Sequence, residues 1–254
     1  MASLVPPRLT DDELAAFKRD GYVVRRRAFD RAAMAEIVRW AGEIAAWPEI
    51  SGRHWVFHET SKLDGATRLI ARIENIVPFH DGFRALCDAI AAPVAQLLGE
   101  RAVLFKEKVN YKMPGGDGFK AHQDSQAGWE AYASYFVTVA LAIDPATAAN
   151  GCLRLAAGEQ RKGLYRAWEP LTAAEVAAMR FEDCPTEPGD LVLFDSYTPH
   201  ASEPNLSDAV RRMYFATYNR ASEGAHMARY YADKHKNYPP DIDRDPGRRY
   251  VFRV

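Results

Sequence analysis

The chain has 254 residues, of which 48% are apolar and 26% are charged; this composition is typical of a globular protein and excludes global disorder. The 33 basic and 34 acidic side chains leave a net charge of −1, which argues against a dedicated nucleic-acid-binding domain. No uncharged apolar run approaches the length of a membrane-spanning helix.

Helices dominate the predicted elements of the first hundred residues. Thr10 and Glu13 form a capping box at the start of a short helix, which should end at Gly21. Asp30 is placed to cap a longer amphipathic helix. Alternating side chains predict two paired strands. The pattern therefore predicts helices over 10–21, 30–47 and 82–99, and strands over 54–59 and 68–75.

Strands and turns follow Gly99. The run at 134–144 is too rich in β-branched and aromatic residues to favour a helix, and the Pro188-Gly189-Asp190 turn leads into another apolar run. The predicted strands are 102–112, 134–144, 152–155, 191–194 and 211–219. We expect an α+β fold with a mainly β core, organised as one domain over 1–254. Its parts are a helical part (1–100), a strand-rich core (101–220) and a C-terminal tail (221–254).

Two histidines and one carboxylate form the first candidate site. His122 and Asp124 are two residues apart, so on an extended chain they point to the same side. His200 follows the apolar strand at 191–194. Such a set is the facial triad of non-heme Fe(II) oxygenases, which leaves three metal positions open. Zinc sites more often use cysteines or a third histidine.

One arginine lies a strand away from this triad. Arg211 comes eleven residues after His200 and begins the last predicted strand. A guanidinium binds a carboxylate through two parallel hydrogen bonds, here the distal carboxylate of 2-oxoglutarate. Successive strand residues face opposite ways, so Arg212 should point out of the site.

Several ordered segments resemble one known family, the phytanoyl-CoA dioxygenase-like Fe(II)/2-oxoglutarate oxygenases. The resemblance covers nearly the whole chain, and the agreement of so many segments in order is far more specific than the triad alone. The segments are FKRDGYVV (17–24), VNYKMPGG (109–116), HQD (122–124), VTVALAID (137–144), NGCL (150–153), PGDLV (188–192) and PHASEPN (199–205).

This resemblance implies a double-stranded β-helix, or jelly-roll, with flanking helices. It implies that His122, Asp124 and His200 bind Fe(II), while Arg211 and Ser202 bind 2-oxoglutarate; O2 is the oxidant. The other residues that it places near the cosubstrate are Asn110, Thr138, Lys106 and Gln123. The family's founding members have Trp where this chain has Ala140, which leaves more room and argues against a long acyl-CoA substrate.

The substrate-binding residues are predicted from two local features. Arg72 and Glu74 share one face of the strand at 68–75, although a surface ion pair is an alternative interpretation. The aromatic residues that follow the HxD motif are expected to border the pocket mouth, although they could equally form a packed loop. These residues are Trp129, Tyr132 and Tyr135. Together they favour a small, polar, charged substrate.

We therefore expect an enzyme that hydroxylates a small polar metabolite, similar to the bacterial hydroxylases that act on aminoalkylphosphonates. The alternatives are desaturation, cyclisation or epimerisation with the same cofactors, and a non-catalytic jelly-roll that senses a ligand or metal.

Three scattered cysteines favour a reducing compartment, and residues 1–7 do not resemble a secretory signal. We expect a cytoplasmic monomer or homodimer without nucleic-acid or membrane partners.

Overall fold

The computed structural model, which describes Leu4, Pro6 and residues 8–251, contains two antiparallel β-sheets that face each other. The larger sheet has the order β1 (Tyr22–Arg25), β9 (Leu191–Asp195), β6 (Phe136–Ala142), β11 (Arg211–Arg220), β4 (Ala102–Lys112), β3 (Arg68–Glu74) and β2 (Trp55–Thr60). The smaller sheet has the order β5 (Phe119–His122), β10 (His200–Ser202), β7 (Leu153–Ala156) and β8 (Phe181–Cys184). This is the jelly-roll that the sequence predicts.

The large sheet is covered on its outer face by helices. These are α1 (Asp11–Asp20), α2 (Arg31–Ala45) and α3 (Asp81–Leu98); the remaining helices are α4 (Ala173–Ala177) and α5 (Met227–Asn237). The capping box predicted at Thr10 is present. Gly99 ends α3 with a φ of 76°, a left-handed conformation that glycine adopts without strain. One buried apolar cluster joins α1, α2 and α3 to the sheet.

Strand β6 shows how the sheet separates its two faces. Val137, Val139 and Leu141 point into the core beneath the helices. Ala140 points the other way, into the space between the two sheets, and Thr138 has the same parity. The inward orientation predicted for Thr138 and Ala140 is therefore confirmed, and Ala140 is buried in an apolar cluster between the sheets.

The C-terminal tail over 221–254, for which the sequence pattern predicts no helix or strand, contains helix α5. Helix α5 packs against β4, and the Tyr231 hydroxyl donates a hydrogen bond of 2.9 Å to the carbonyl of Glu107. The inner face of α5 carries tyrosines instead of aliphatic residues, and no side chain caps its start. These features hide its helical pattern in the sequence. Residues 252–254 lie outside the described part.

Two other expectations concern the ends of the chain and membranes. Most of residues 1–7, on which the expectation of no secretory signal rests, lie outside the described residues. Within the described part, none of the helices combines the length and the apolar composition that crossing a membrane requires.

The tight turn before β9 is held by one buried carboxylate. Gly189 has a φ of +92°, and a Cβ there would lie 2.5 Å from the carbonyl oxygen of Phe29. The Asp190 carboxylate accepts hydrogen bonds from the backbone N–H of Arg27 (2.8 Å) and of Glu187 (3.0 Å), and from the Arg26 guanidinium (2.8 Å). The turn therefore fixes where β9 enters the sheet.

Replacing Asp190 with Ala should destabilise this entry to β9. The change leaves two backbone N–H groups without their acceptor, so we expect the free energy of unfolding to fall by about 2–4 kcal/mol. Urea denaturation measures the loss, with the exposed Asp208→Ala as control. Equal stability of the two variants would contradict this role for Asp190.

Candidate active site

The two histidines and the aspartate predicted to bind a metal meet at one end of the small sheet. His122 on β5 and His200 on β10 are cross-strand partners, and their ring centroids are 4.2 Å apart. Asp124 follows His122 where β5 ends. One ligand atom from each of the three residues lies within 4.8 Å of the others. The structure thus brings together residues that are up to 78 positions apart in the chain.

Backbone and side-chain hydrogen bonds orient all three ligands. Nδ1 of His122 is 2.7 Å from the carbonyl of Lys120, and Nδ1 of His200 is 3.0 Å from the carbonyl of Thr198. Each imidazole is thereby left with Nε2 available to bind a metal, because a hydrogen bond at one ring nitrogen orients the other toward the ion. The Thr138 hydroxyl donates to Oδ2 of Asp124 at 2.7 Å.

Burial also keeps the histidines in the form that binds a metal. It lowers the pKa of His200, and it lowers the pKa of His122 to about 3 with the help of the neighbouring His200. Both rings are therefore neutral at pH 7. Two neutral imidazoles and one carboxylate on one side of a cavity are the donor set that non-heme Fe(II) uses, so these residues fit the expected metal.

Arg211 is a buried arginine that lines the cavity. Its Nη2 donates a hydrogen bond to the carbonyl of Gly151, but its Nε has no hydrogen-bond partner among the described residues. Burial lowers the pKa of Arg211 to about 10. A buried guanidinium without a carboxylate partner is unfavourable, and it fits a carboxylate ligand such as that of 2-oxoglutarate.

Arg212 points away from the cavity, as predicted. Its guanidinium donates two hydrogen bonds of 2.8 Å to the Asp144 carboxylate on the outer side of the sheet. The strand alternation that separates Arg211 from Arg212 is therefore confirmed.

Lys112 is a cation of this region that sequence reasoning missed. It is the cross-strand partner of Arg211, and its Nζ donates to the Ser202 hydroxyl at 2.7 Å and to the Glu203 carbonyl at 2.5 Å. Burial, together with Arg211, lowers its pKa to about 7. Lys112 is two residues after Asn110 on β4, so both side chains face the same side of the sheet. Strand alternation from Asn110 would therefore have identified Lys112 from the sequence.

Two further lysines of β4 point into the cavity beside the metal ligands. Lys106, predicted from the resemblance, and Lys108, which was not predicted, both line it, as does Asn110. The Nζ of Lys106 lies 4.1 Å from the centroid of the Trp129 ring. Burial lowers the pKa of both lysines, that of Lys108 to about 7.

The prediction that Gln123 reaches the cosubstrate is wrong. Its side chain is fully buried on the side opposite to His122 and Asp124, where Nε2 donates to the carbonyls of Gly163 and Tyr197 at 2.7 Å each. Strand alternation is the reason, because the middle residue of HxD faces away from its two neighbours. Gln123 instead ties down the loop that carries Gly163.

The aromatic residues predicted at the pocket mouth do not line the cavity. Two 3-10 turns after His122 lead the chain back into the protein. Trp129 packs on Phe105 and Phe136, and the Tyr132 and Tyr135 hydroxyls bind carboxylates. The walls of the cavity and of the cleft in front of it are formed by other aromatic residues: Phe119, Phe194 and Phe215 in the cavity, and Phe57, Trp168 and Tyr238 in the cleft.

Arg72 and Glu74 share a face of β3, as predicted, but they form a buried ion pair. Nε of Arg72 donates to Oε1 of Glu74 at 2.7 Å, and Lys234 of α5 pairs with the other carboxylate oxygen. Burial favours the protonated acid, yet Lys234 and Arg72 outweigh it and hold the pKa of Glu74 at about 2. Arg72 also lines the outer cleft; Glu74 is not among its lining residues.

A cavity lies between the sheets and is lined by residues of β4, β5, β10 and β11, among them His122 and His200. The outer cleft shares Asn110, Phe119 and His122 with it. A molecule that enters through the cleft therefore reaches the metal ligands directly.

Comparisons with known proteins identify the family and relatives of this chain. The family model described as phytanoyl-CoA dioxygenase (PhyH) matches residues 17–213. The 2-aminoethylphosphonate dioxygenase of the uncultured bacterium HF130_AEPn_1 is 39% identical over 245 residues, which cover 95% of this chain and 93% of that protein. The methylphosphonate hydroxylase of Gimesia maris (strain ATCC 29201 / DSM 8797 / 534-30) is 36% identical over 234 residues, with coverages of 91% and 88%.

A solved structure shares the fold. EctD from S. alaskensis, crystallised with 2-oxoglutarate and 5-hydroxyectoine, matches with a TM-score of 0.72 at 23% identity. The match covers 85% of this chain and 77% of EctD.

Loss of a ligand or of its orienting hydroxyl should weaken metal binding to different degrees. Asp124→Ala removes a donor atom and should abolish Fe(II) retention. Thr138→Val removes only the hydrogen bond to Asp124, so we expect Fe(II) affinity to fall about ten- to a hundredfold. Anaerobic Fe(II) titration measures both, with the exposed Thr60→Val as control. Full Fe(II) affinity in Asp124→Ala would refute the assigned ligand set.

The two adjacent arginines provide a matched pair for the cosubstrate. Arg211→Ala removes a charge-assisted contact, so the affinity for 2-oxoglutarate should fall about ten- to a hundredfold. Arg212→Ala should leave that affinity unchanged, because its guanidinium is bound to Asp144. Equilibrium binding of 2-oxoglutarate measures the affinity of each variant. If Arg212→Ala lost affinity and Arg211→Ala did not, Arg212 would be the cosubstrate residue.

Proposed function

Since the chain belongs to the phytanoyl-CoA dioxygenase family and is an Fe(II)- and 2-oxoglutarate-dependent oxygenase, we propose that it hydroxylates a C–H bond of a small phosphonate. The single observation that carries this proposal is the His122–Asp124–His200 cluster in a cavity lined with cations. The named activities of the two relatives, on 2-aminoethylphosphonate and methylphosphonate, support the same substrate class.

In this proposal, His122, Asp124 and His200 hold the iron, and Arg211 binds the distal carboxylate of 2-oxoglutarate. Ser202 lies beside Arg211, and Lys112 donates a hydrogen bond to its hydroxyl. When bound, iron with 2-oxoglutarate and O2 supplies the oxidising power that C–H hydroxylation requires.

The chain's own contribution is orientation and exclusion of water. Thr138 holds one oxygen of Asp124 and leaves the other for the metal, while the two backbone carbonyls fix the imidazoles. Phe119, Phe194 and Phe215 form an apolar wall beside the ligands. This wall limits the access of water to the reacting C–H bond.

A compact, anionic substrate fits this cavity better than an acyl-CoA. The positive side chains that surround the metal ligands, Lys106, Lys108 and Arg211, lie inside the cavity. A fatty acyl chain would instead require a long apolar channel.

We also propose that residues 1–254 act as one domain, and that the protein is a cytoplasmic monomer or homodimer without nucleic-acid or membrane partners. Support comes from the near-zero net charge and from three buried cysteines that form no disulfide.

Succinate release against a panel of substrates tests the proposed reaction. With Fe(II), 2-oxoglutarate and O2 present, 2-aminoethylphosphonate or methylphosphonate should stimulate succinate formation, and the product should gain one oxygen atom. A product that loses two hydrogens, or keeps its composition, would identify desaturation, cyclisation or epimerisation instead. Stimulation by an acyl-CoA and by no phosphonate would overturn the proposed substrate class.

A further inference from the structure

Lys106 and Lys108 lie beside the metal ligands without a hydrogen-bond or ion-pair partner among the described residues. The Lys106 ammonium lies 4.1 Å from the centroid of the Trp129 ring and 5.9 Å from that of the Tyr230 ring. The Lys108 ammonium lies 5.3 Å and 5.4 Å from the centroids of Phe215 and Phe119. Lys112 on the same face differs, because it donates hydrogen bonds to Ser202 and to backbone carbonyls.

The carboxylates closest to these two lysines are already engaged. Asp124 is one of the three proposed metal ligands, so the positive metal ion would balance its negative charge. Glu74 is paired with both Arg72 and Lys234. Burial disfavours the charged form of both lysines, and Lys106 also disfavours the charge on Lys108. An anion in the cavity would remove this penalty.

The position of the lysines along β4 separates them from the distal end of the cosubstrate. Arg211 is paired with Lys112, whereas Lys108 and Lys106 lie four and six residues away on the same face. At about 3.3 Å per residue these separations are roughly 13 and 20 Å. Arg211 and the two lysines therefore extend from different positions along the same cavity.

We propose that the ammonium groups of Lys106 and Lys108 bind the phosphonate group of the substrate and so place its C–H bond at the metal. A phosphonate offers three acceptor oxygens and up to two negative charges, which matches two adjacent point-charge donors. Arg211 has the forked geometry that suits a planar carboxylate. This inference rests on the proposed function, and it reassigns Lys106 from the cosubstrate to the substrate.

Calorimetric titration of methylphosphonate into the Fe(II)- and 2-oxoglutarate-loaded protein, without O2, tests the assignment. Lys106→Met and Lys108→Met keep side-chain length but remove one charge each, so each should weaken methylphosphonate binding about ten- to a hundredfold. Affinities for Fe(II) and 2-oxoglutarate should stay at the wild-type values. Lys108→Arg keeps the charge and should bind better than Lys108→Met. The exposed Lys236→Met is the matched control and should bind as the wild type does.

Methanesulfonate has a similar shape but a single negative charge, so it should bind to the wild type more weakly than methylphosphonate does. Its affinity should also fall less in the lysine variants than that of methylphosphonate. Unchanged methylphosphonate affinity in both Met variants would overturn the inference while leaving the proposed function intact. An equal loss of 2-oxoglutarate affinity would assign the lysines to the cosubstrate. A wild-type protein that neither binds nor hydroxylates phosphonates would contradict the proposed function as well.

Discussion

The pairing of β4 with β11 is the constraint on which the whole site depends. Its antiparallel register sets Lys112 opposite Arg211 and Lys106 opposite Thr217, with all four side chains lining one region between the sheets. A slip of one residue would turn every side chain of β4 to the other face. The lysines would then enter the apolar core under the helices.

The other face of β4 prevents such a slip. Val109 and Tyr111 are buried in the helix-side core, and the Tyr111 hydroxyl donates to the carbonyl of Ala41 in α2 at 2.6 Å. Glu107 accepts hydrogen bonds from the backbone N–H groups of Ile76 and Val77. The helical half of the chain thus fixes the register that aligns the cations with the metal ligands, and the resulting excess of positive charge is favourable only when anions bind.

Local rules predicted much of this site from the sequence. Alternation along a strand was enough to pair His122 with Asp124 and to separate Arg211 from Arg212, and the family that the ordered motifs indicated is confirmed over residues 17–213. The same alternation, applied to every strand residue near the site, would have excluded Gln123 from the cosubstrate-binding residues. It would also have identified Lys108 as a residue that lines the cavity. Contacts that depend on long-range packing were beyond such rules. The two turns that bury Trp129, and the helix that brings Lys234 to Glu74, are set by distant parts of the chain.

An anaerobic crystal structure of the protein with Fe(II), 2-oxoglutarate and methylphosphonate tests the proposed site most directly. We expect Fe(II) on His122, Asp124 and His200, the distal carboxylate on Arg211, and the phosphonate within hydrogen-bond distance of Lys106 and Lys108. A phosphonate bound away from Lys106 and Lys108, with those lysines on 2-oxoglutarate, would contradict this arrangement.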